Sequence, residues 1–228
     1  MRRSHAAISL MAVIAAGVGS LAIQPAAALT PSFSALPLFG LGARKPPPSL
    51  IFVYDGFQVD ASGARRLQPP EKTIRALKTQ IDLVEHVGLS PDILNFARTT
   101  RIMADAYKPE EPVRYVPGQG VWVKIKRLDP KKPILLAGLL EAYHDQRLST
   151  GLVSADVTRF RNEAMTRHAW PKTALMLQSD ADYFGLTGAT YLYGASTREP
   201  YSRAKLRQTQ PEYYRWLATL FDHGRARG

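Results

Sequence analysis

The segment from residue 133 to residue 148 constrains the fold more than any other part of the chain. Its leucine, isoleucine and tyrosine side chains recur at spacings of three, four and seven, which predicts a helix with a broad buried face that begins just inside a proline. On this helix Ala137, Glu141 and His144 share one stripe, because positions four and seven apart lie on the same side of an α-helix. We therefore expect a core helix that carries two polar groups close together.

Periodic segments on both sides predict the rest of the domain. Helices are expected at 70–87, from Ser90–Pro91 onward, at 155–167 with Ser154 as its cap, at 179–193, and after a capping box formed by Thr209 and Glu212. Short strands are expected at 50–54, 101–103 and 114–127, the last with a turn at 117–120. The pattern predicts an α+β domain that is mainly helical, with a small antiparallel sheet.

The first 49 residues have a different composition from the rest. Residues 1–28 combine two early arginines, an apolar run and three alanines, which predicts a secretory signal peptide and a periplasmic or secreted protein; an uncleaved membrane anchor is the alternative. Residues 29–49 are rich in proline, serine and glycine and predict an extended linker or arm. The folded domain is expected to occupy 50–228. Because the chain contains no cysteine, disulfides and thiolate metal sites are excluded.

The net charge of +11 favours anionic partners. For an exported protein these are anionic lipid headgroups, cell-wall polymers or acidic proteins. The lysines and arginines are spread along the chain, and no nucleic-acid-binding motif is present, so no nucleic-acid partner is expected.

The central helix resembles the active-site helix of zincin-like metallopeptidases of bacterial envelopes, in which H-E-x-x-H stands within a pattern close to P-I-L-L-H-E-L-L-H-A-Y-H-D-Q. This chain reads P-I-L-L-A-G-L-L-E-A-Y-H-D-Q at the same place. Ala137 replaces the first zinc histidine, Gly138 replaces the general-base glutamate, and Glu141 replaces the second histidine. Upstream and C-terminal segments are also similar, so the resemblance covers roughly residues 51–221.

These replacements remove the chemistry of the motif. Ala137 has no lone pair to offer a metal ion, and Gly138 has no side chain that could take a proton from a metal-bound water. Glycine inside a helix also costs about 1 kcal/mol relative to alanine, so the sequence alone does not explain why residue 138 is a glycine. The resemblance implies a zincin-like fold in which no catalytic residue is expected.

A later segment resembles the family's E-F/Y-F-A-V-T motif, which implies that Asp182 stands where the third metal ligand would be. His144 then has two interpretations. It is either a buried histidine that hydrogen-bonds to a neighbour such as Glu141, or it joins Glu141 and Asp182 in a rewired site for Zn²⁺ or another divalent ion. The first interpretation requires no cofactor, and the second requires zinc or a similar metal.

Three functions follow from these observations. The resemblance implies an exported, non-catalytic domain that binds a peptide or protein partner in the cell envelope, with the strand at 114–127 as the edge along which a peptide lies. The first alternative is an active metal-dependent peptidase that uses the rewired site. The second is an envelope adaptor or structural protein, held by its basic surface and its proline-rich arm.

Overall fold

The computed structural model describes residues 48–67, 69–148, 152–224 and 227. The predicted signal peptide, 1–28, and all but the last two residues of the predicted arm, 29–49, lie outside these ranges. The described residues belong to one compact unit, Pro46–Gly228, which contains the predicted folded domain. No helix in these ranges has the length and apolar character needed to cross a membrane.

The strands form one mixed sheet. They are β1 (Ile51–Tyr54), β2 (Phe57–Gly63), β3 (Ile102–Asp105), β4 (Val113–Val116) and β5 (Gly120–Lys124), in the spatial order β1-β2-β3-β5-β4. The two edge strands, β1 and β4, pair antiparallel with their neighbours, whereas β3 is parallel to both β2 and β5. The expectation of an antiparallel sheet is therefore wrong for its centre, because β2 reaches β3 through a long helical crossover.

Strand β2 is absent from the sequence prediction, which places only a strand and a turn in this region. Asp55 and Gly56 both have positive φ angles, 48° and 83°, which suit a two-residue turn between antiparallel strands. After the turn, the buried residues Phe57, Val59 and Ala61 alternate with polar residues, which is the pattern of a half-buried strand. The sequence signal for β2 is therefore present in this alternation.

Helices make up most of the described chain, so the predicted mainly helical α+β class is confirmed. They are α1 (Pro70–His86), α2 (Pro91–Thr99), α3 (Ile134–Tyr143), α4 (Leu152–Thr166), α5 (Asp180–Tyr193), α6 (Arg203–Thr209) and α7 (Pro211–Asp222). The predicted central helix is α3, which continues as a π-helical segment, His144–Leu148.

Two predicted helix caps are wrong. Helix α4 already begins at Leu152, so Ser154 lies inside it. Helix α7 is preceded by Gln210 rather than by Thr209, because Pro211 occupies the first helical position, where its missing N–H costs nothing. The aromatic stripe of α7 nevertheless docks as predicted: the Tyr213 ring lies 4.8 Å from that of Tyr183 on α5.

Helix α3 lies at the centre of the fold. Every residue from Ile134 to Ala142 is buried, with β4 and β5 on one side and α5 on the other. Its first turn is fixed by Gln80 of α1, whose Oε1 accepts a hydrogen bond from the Leu135 N–H at 3.0 Å. The Gln80 amide also donates to the carbonyl of Lys132 at 2.8 Å. Gln80 therefore binds an N–H group of the first turn of α3, which has no capping side chain of its own.

Candidate functional site

Gly138 allows α3 to lie directly against the sheet. A Cβ atom at this position would overlap Cγ2 of Val113 on β4 and would stand 2.7 Å from Cγ1 of Val121 on β5. Both valines are buried and branched at Cβ, so they cannot easily rotate away. The close approach of helix and strands is the physical reason for the glycine, and it leaves no room for a glutamate side chain.

Gly185 allows an equally close approach of α5 to α3. A Cβ atom on this residue of α5 would lie 2.6 Å from Cγ of Glu141 and 2.7 Å from the carbonyl oxygen of Ala137. The turn of α3 from Ala137 to Glu141 is thus held between the sheet and α5, with backbone close to backbone. Ala137 and Glu141, which stand where the family motif has its two histidines, are therefore packed against α5.

Glu141 is the most perturbed carboxyl group in this region. Its side chain is 95% buried, and its Oε2 accepts a hydrogen bond from the backbone N–H of Tyr115 at 3.0 Å. Burial raises the pKa of Glu141 to about 8, against the lowering effect of the Tyr115 bond. The negative charges of Asp182 and Glu111 raise this pKa further. Glu141 therefore carries a proton at neutral pH and caps the outer edge of β4.

Asp182 is bound within its own helix end. The hydroxyl of Ser179 donates to Asp182 Oδ2 at 2.6 Å, and the Asp182 N–H donates to the same hydroxyl at 3.0 Å. This reciprocal pair satisfies an otherwise free N–H group at the start of α5. Partial burial raises the pKa of Asp182, while the Ser179 bond lowers it. Asp182 thus helps to cap the start of α5 through its bond with Ser179.

Glu141 and Asp182 line one cleft beside β4, with a volume of about 330 Å³. Its polar lining consists of these two carboxyl groups with Glu111, Arg114, Gln178 and Ser179. A second, much smaller cavity of about 30 Å³ adjoins it at Val113 and Glu141 and reaches Ala137. The structure therefore brings together three of the four sequence-predicted positions: Ala137, Glu141 and Asp182.

His144 lies apart from this cleft. Its ring packs against Phe184 at a centroid distance of 5.7 Å, and the charged groups that influence it are Asp180 and Asp145. Asp180 is itself bound by the Thr158 hydroxyl and by Arg161. Burial lowers the pKa of His144, and its Nε2 is buried without a hydrogen-bond partner in the part of the chain that the structure describes. The expected burial is confirmed, but the expected hydrogen bond to Glu141 is wrong, because the bonded oxygen of Glu141 faces Tyr115.

The rewired metal site is not assembled. Across the described ranges, no three histidine, cysteine, aspartate or glutamate side chains stand in an arrangement that could hold a metal ion. The bonded oxygen of Glu141 is turned toward Tyr115 of β4, whereas the His144 ring packs on Phe184 of α5. The fallback ligand set of Glu141, His144 and Asp182 is therefore not brought together.

Comparison with known proteins adds no relative. No protein-family model matches the chain, and no curated protein or solved structure is significantly similar to it.

The residues that β4 and the chain before it contribute to the cleft are absent from the sequence prediction of the site. Glu111 and Arg114 lie before and in β4, and Tyr115 supplies the N–H that Glu141 binds. The alternation of side chains along a strand places Arg114 and Tyr115 on opposite faces of the sheet. It does not show that Glu141 of α3 binds the Tyr115 N–H. Chemically, the cleft offers carboxyl groups as hydrogen-bond acceptors and, next to β4, backbone groups of an edge strand.

Proposed function

We propose that this chain is an exported, non-catalytic zincin-like domain that binds an extended peptide segment of an envelope partner along β4. The proposal joins the resemblance of the central helix, the signal-peptide-like first 28 residues and the position of the cleft. The observation that carries it is the outer edge of β4, which borders an open cleft and offers backbone groups for pairing.

The register of β4 identifies those groups. The Lys124 N–H donates to the Pro112 carbonyl at 2.9 Å, which directs the backbone groups of even-numbered β4 residues toward β5. The N–H and C=O of Val113 consequently point away from β5, and no other described backbone group bonds them. An added strand could pair with Val113 directly. At Tyr115, it would have to displace the Glu141 carboxyl.

The sequence supports binding rather than cleavage. Gly138 lies against two valines where a general base would be needed, and the described residues hold no group of metal ligands. No observation on the cleft favours the rewired peptidase, and the basic surface alone does not favour an adaptor over a peptide binder. Peptide binding is the function that uses both the free strand edge and the cleft.

The test compares proline substitutions on the two edges of the sheet, at the buried Val113 of β4 and the exposed Val53 of β1. Val113→Pro removes the outward N–H of β4. Val53→Pro does the same on β1, because the Ala61-to-Leu50 bond places the β1–β2 bonds at even-numbered β1 residues. The full chain and both variants are screened against one array of synthetic random decapeptides, and the best peptides are titrated by fluorescence anisotropy.

We expect Val113→Pro to weaken binding at least tenfold, since it loses a backbone hydrogen bond worth about 1 kcal/mol and adds a clash with the peptide. Val53→Pro should bind like the unchanged chain, and urea unfolding shows whether both variants are folded. The absence of any peptide that binds below about 1 mM, or equal affinities of the two variants, would refute the proposal. Zinc-dependent cleavage of the array peptides would instead support the peptidase alternative.

A further inference from the structure

The cleft beside β4 is acidic in a chain that is strongly basic. The chain carries a net charge of +11, yet the charged groups that line the cleft are the carboxyl groups of Glu111, Glu141 and Asp182 and one cation, Arg114. These groups are close enough to interact: Glu111 and Arg114 both affect the pKa values of Glu141 and Asp182. Because Glu141 carries a proton at neutral pH, the negative charges of Glu111 and Asp182 stand against the one positive charge of Arg114, and the cleft is opposite in sign to the whole molecule.

Each of the three carboxyl groups has an oxygen without a hydrogen bond from the described residues. Glu111 Oε2 is shielded from solvent and has no partner. Glu141 is 95% buried, lines the cleft and is bonded through Oε2 only. Asp182 is bonded through Oδ2 only. Of these oxygens, Glu111 Oε2 is the buried one without a donor, and it carries a desolvation cost that a suitable ligand would relieve.

The spacing of the carboxyl groups decides the shape of such a ligand. No three acidic or histidine side chains of the described chain could close on a single metal ion, so a compact cation cannot reach all of them. A guanidinium group is planar and extended, and it presents five N–H donors that can serve several carboxyl oxygens at once. An ammonium group offers three donors on a flexible stem and fits less well.

We propose that the cleft receives an arginine side chain of the peptide bound along β4, held by Asp182 and Glu111 with Glu141 at its buried end. This inference rests on the proposed function and adds the chemical class of the partner segment. The peptide backbone pairs with Val113, and a side chain that leaves this strand enters the cleft. The cleft thus selects a basic residue, although the chain as a whole repels basic partners.

The experiment compares two peptides that differ in one charge. They are fluorescein-labelled Gly-Ala-Val-Arg-Val-Ala-amide and the same peptide with citrulline, which is neutral and nearly isosteric with arginine. With the full chain, fluorescence anisotropy should give at least tenfold tighter binding of the arginine peptide. Equal affinities would overturn the inference.

Matched variants separate a local site from general electrostatics. Asp182→Asn removes one negative charge from the cleft, and Glu110→Gln removes one from an exposed neighbour of Glu111 that does not line it. The arginine preference should fall at least fivefold in Asp182→Asn and less than twofold in Glu110→Gln. Equal losses in the two variants would refute a specific site. If Asp182→Asn is not folded, Glu111→Gln replaces it with the same expectation.

The outcomes also distinguish this inference from the proposed function. If both peptides bind equally and Val113→Pro weakens both, peptide binding along β4 stands and the arginine site is wrong. If neither peptide binds, and the decapeptide array also yields no binder, both proposals are wrong.

Discussion

The middle of α3 and the cleft at its side share Glu141, yet they differ in almost every physical respect. Around Gly138 and Gly185, the helix touches its neighbours so closely that a single added carbon atom has no space. In the cleft, about 330 Å³ stays open, and Glu111 Oε2 has no hydrogen-bond partner among the described residues. At Gly138, side chains of the sheet occupy the space that a glutamate would need. The cleft beside it, in contrast, is open and lined by charged groups. A binding role needs only the second region.

The largest expected effect comes from filling the tight region. Gly138→Ala places a methyl group against Val113 and Val121 and should destabilise the fold, because overpacking costs about 1 to 3 kcal/mol. Gly188→Ala is the matched control on α5, since its nearest contact, at 3.1 Å, is the mobile end of the Leu140 side chain. Alanine should there be neutral or stabilising by up to about 1 kcal/mol.

Urea unfolding should separate the two glycine variants by about 3 kcal/mol. Equal stabilities would show that α3 can move away from the sheet, and the contrast between the tight region and the cleft would then disappear.

A smaller effect is expected from the proton on Glu141. The pKa in the folded chain is about 8, above the ordinary value of 4.5, so the folded state holds the proton more tightly than the unfolded state. The resulting stability is full below pH 4.5 and is lost as the pH rises to 8. Glu141→Gln should remove this loss, which we expect to be roughly 2 kcal/mol between pH 6 and pH 8.

The check is a comparison of urea midpoints at these two pH values for the unchanged chain and Glu141→Gln. Parallel pH profiles would mean that water reaches the carboxyl group freely, so that the cleft extends further into the tight region than its contacts indicate. The charges of Asp182, Glu111 and Arg114 act on the same group and remain in both proteins.

The smallest effect concerns His144, whose pKa is lowered by burial. The folded state therefore binds this proton less tightly than the unfolded state, and stability present above the unfolded value of 6.5 is lost as the pH falls below it. His144→Phe keeps a ring against Phe184 and removes the unpartnered Nε2. At pH 7.5 its stability should stay within about 1 kcal/mol of the unchanged chain.

Between pH 6.5 and pH 5, however, His144→Phe should lose less stability than the unchanged chain. Thermal unfolding at the two pH values measures the difference. A variant that is strongly destabilised at pH 7.5 would show that His144 makes a polar contact that phenylalanine cannot make. His144 would then contribute more than apolar packing.

Sequence reasoning predicted the elements more successfully than their contacts. The spacing of leucines in α3 and the apolar stripe of α1 indicated helices that the structure contains, because a helix that buries one face must repeat its apolar residues with the helical period. The parallel centre of the sheet was not predictable in the same way. It depends on which strand lies beside β3, and this is a matter of long-range packing.

The site shows the same division. Helix geometry places Ala137 and Glu141 one turn apart on α3, and the structure brings Asp182 to the cleft that Glu141 lines. The bond from Tyr115 to Glu141 joins residues 26 positions apart, and no local pattern encodes it. The reason for Gly138 also became visible only when Val113 and Val121 were seen against it.

The other edge of the sheet affects how the purified protein behaves in concentrated solution. On β1, Ile51 and Val53 are 63% and 69% exposed, and the described residues supply no strand on the outer side of β1. An apolar edge strand of this kind is a template on which a second copy can add its own strand. Strand β1 lies at the opposite edge of the sheet from the cleft. A lysine on β1 should therefore reduce association between copies in a concentrated sample and leave the peptide-binding edge unchanged.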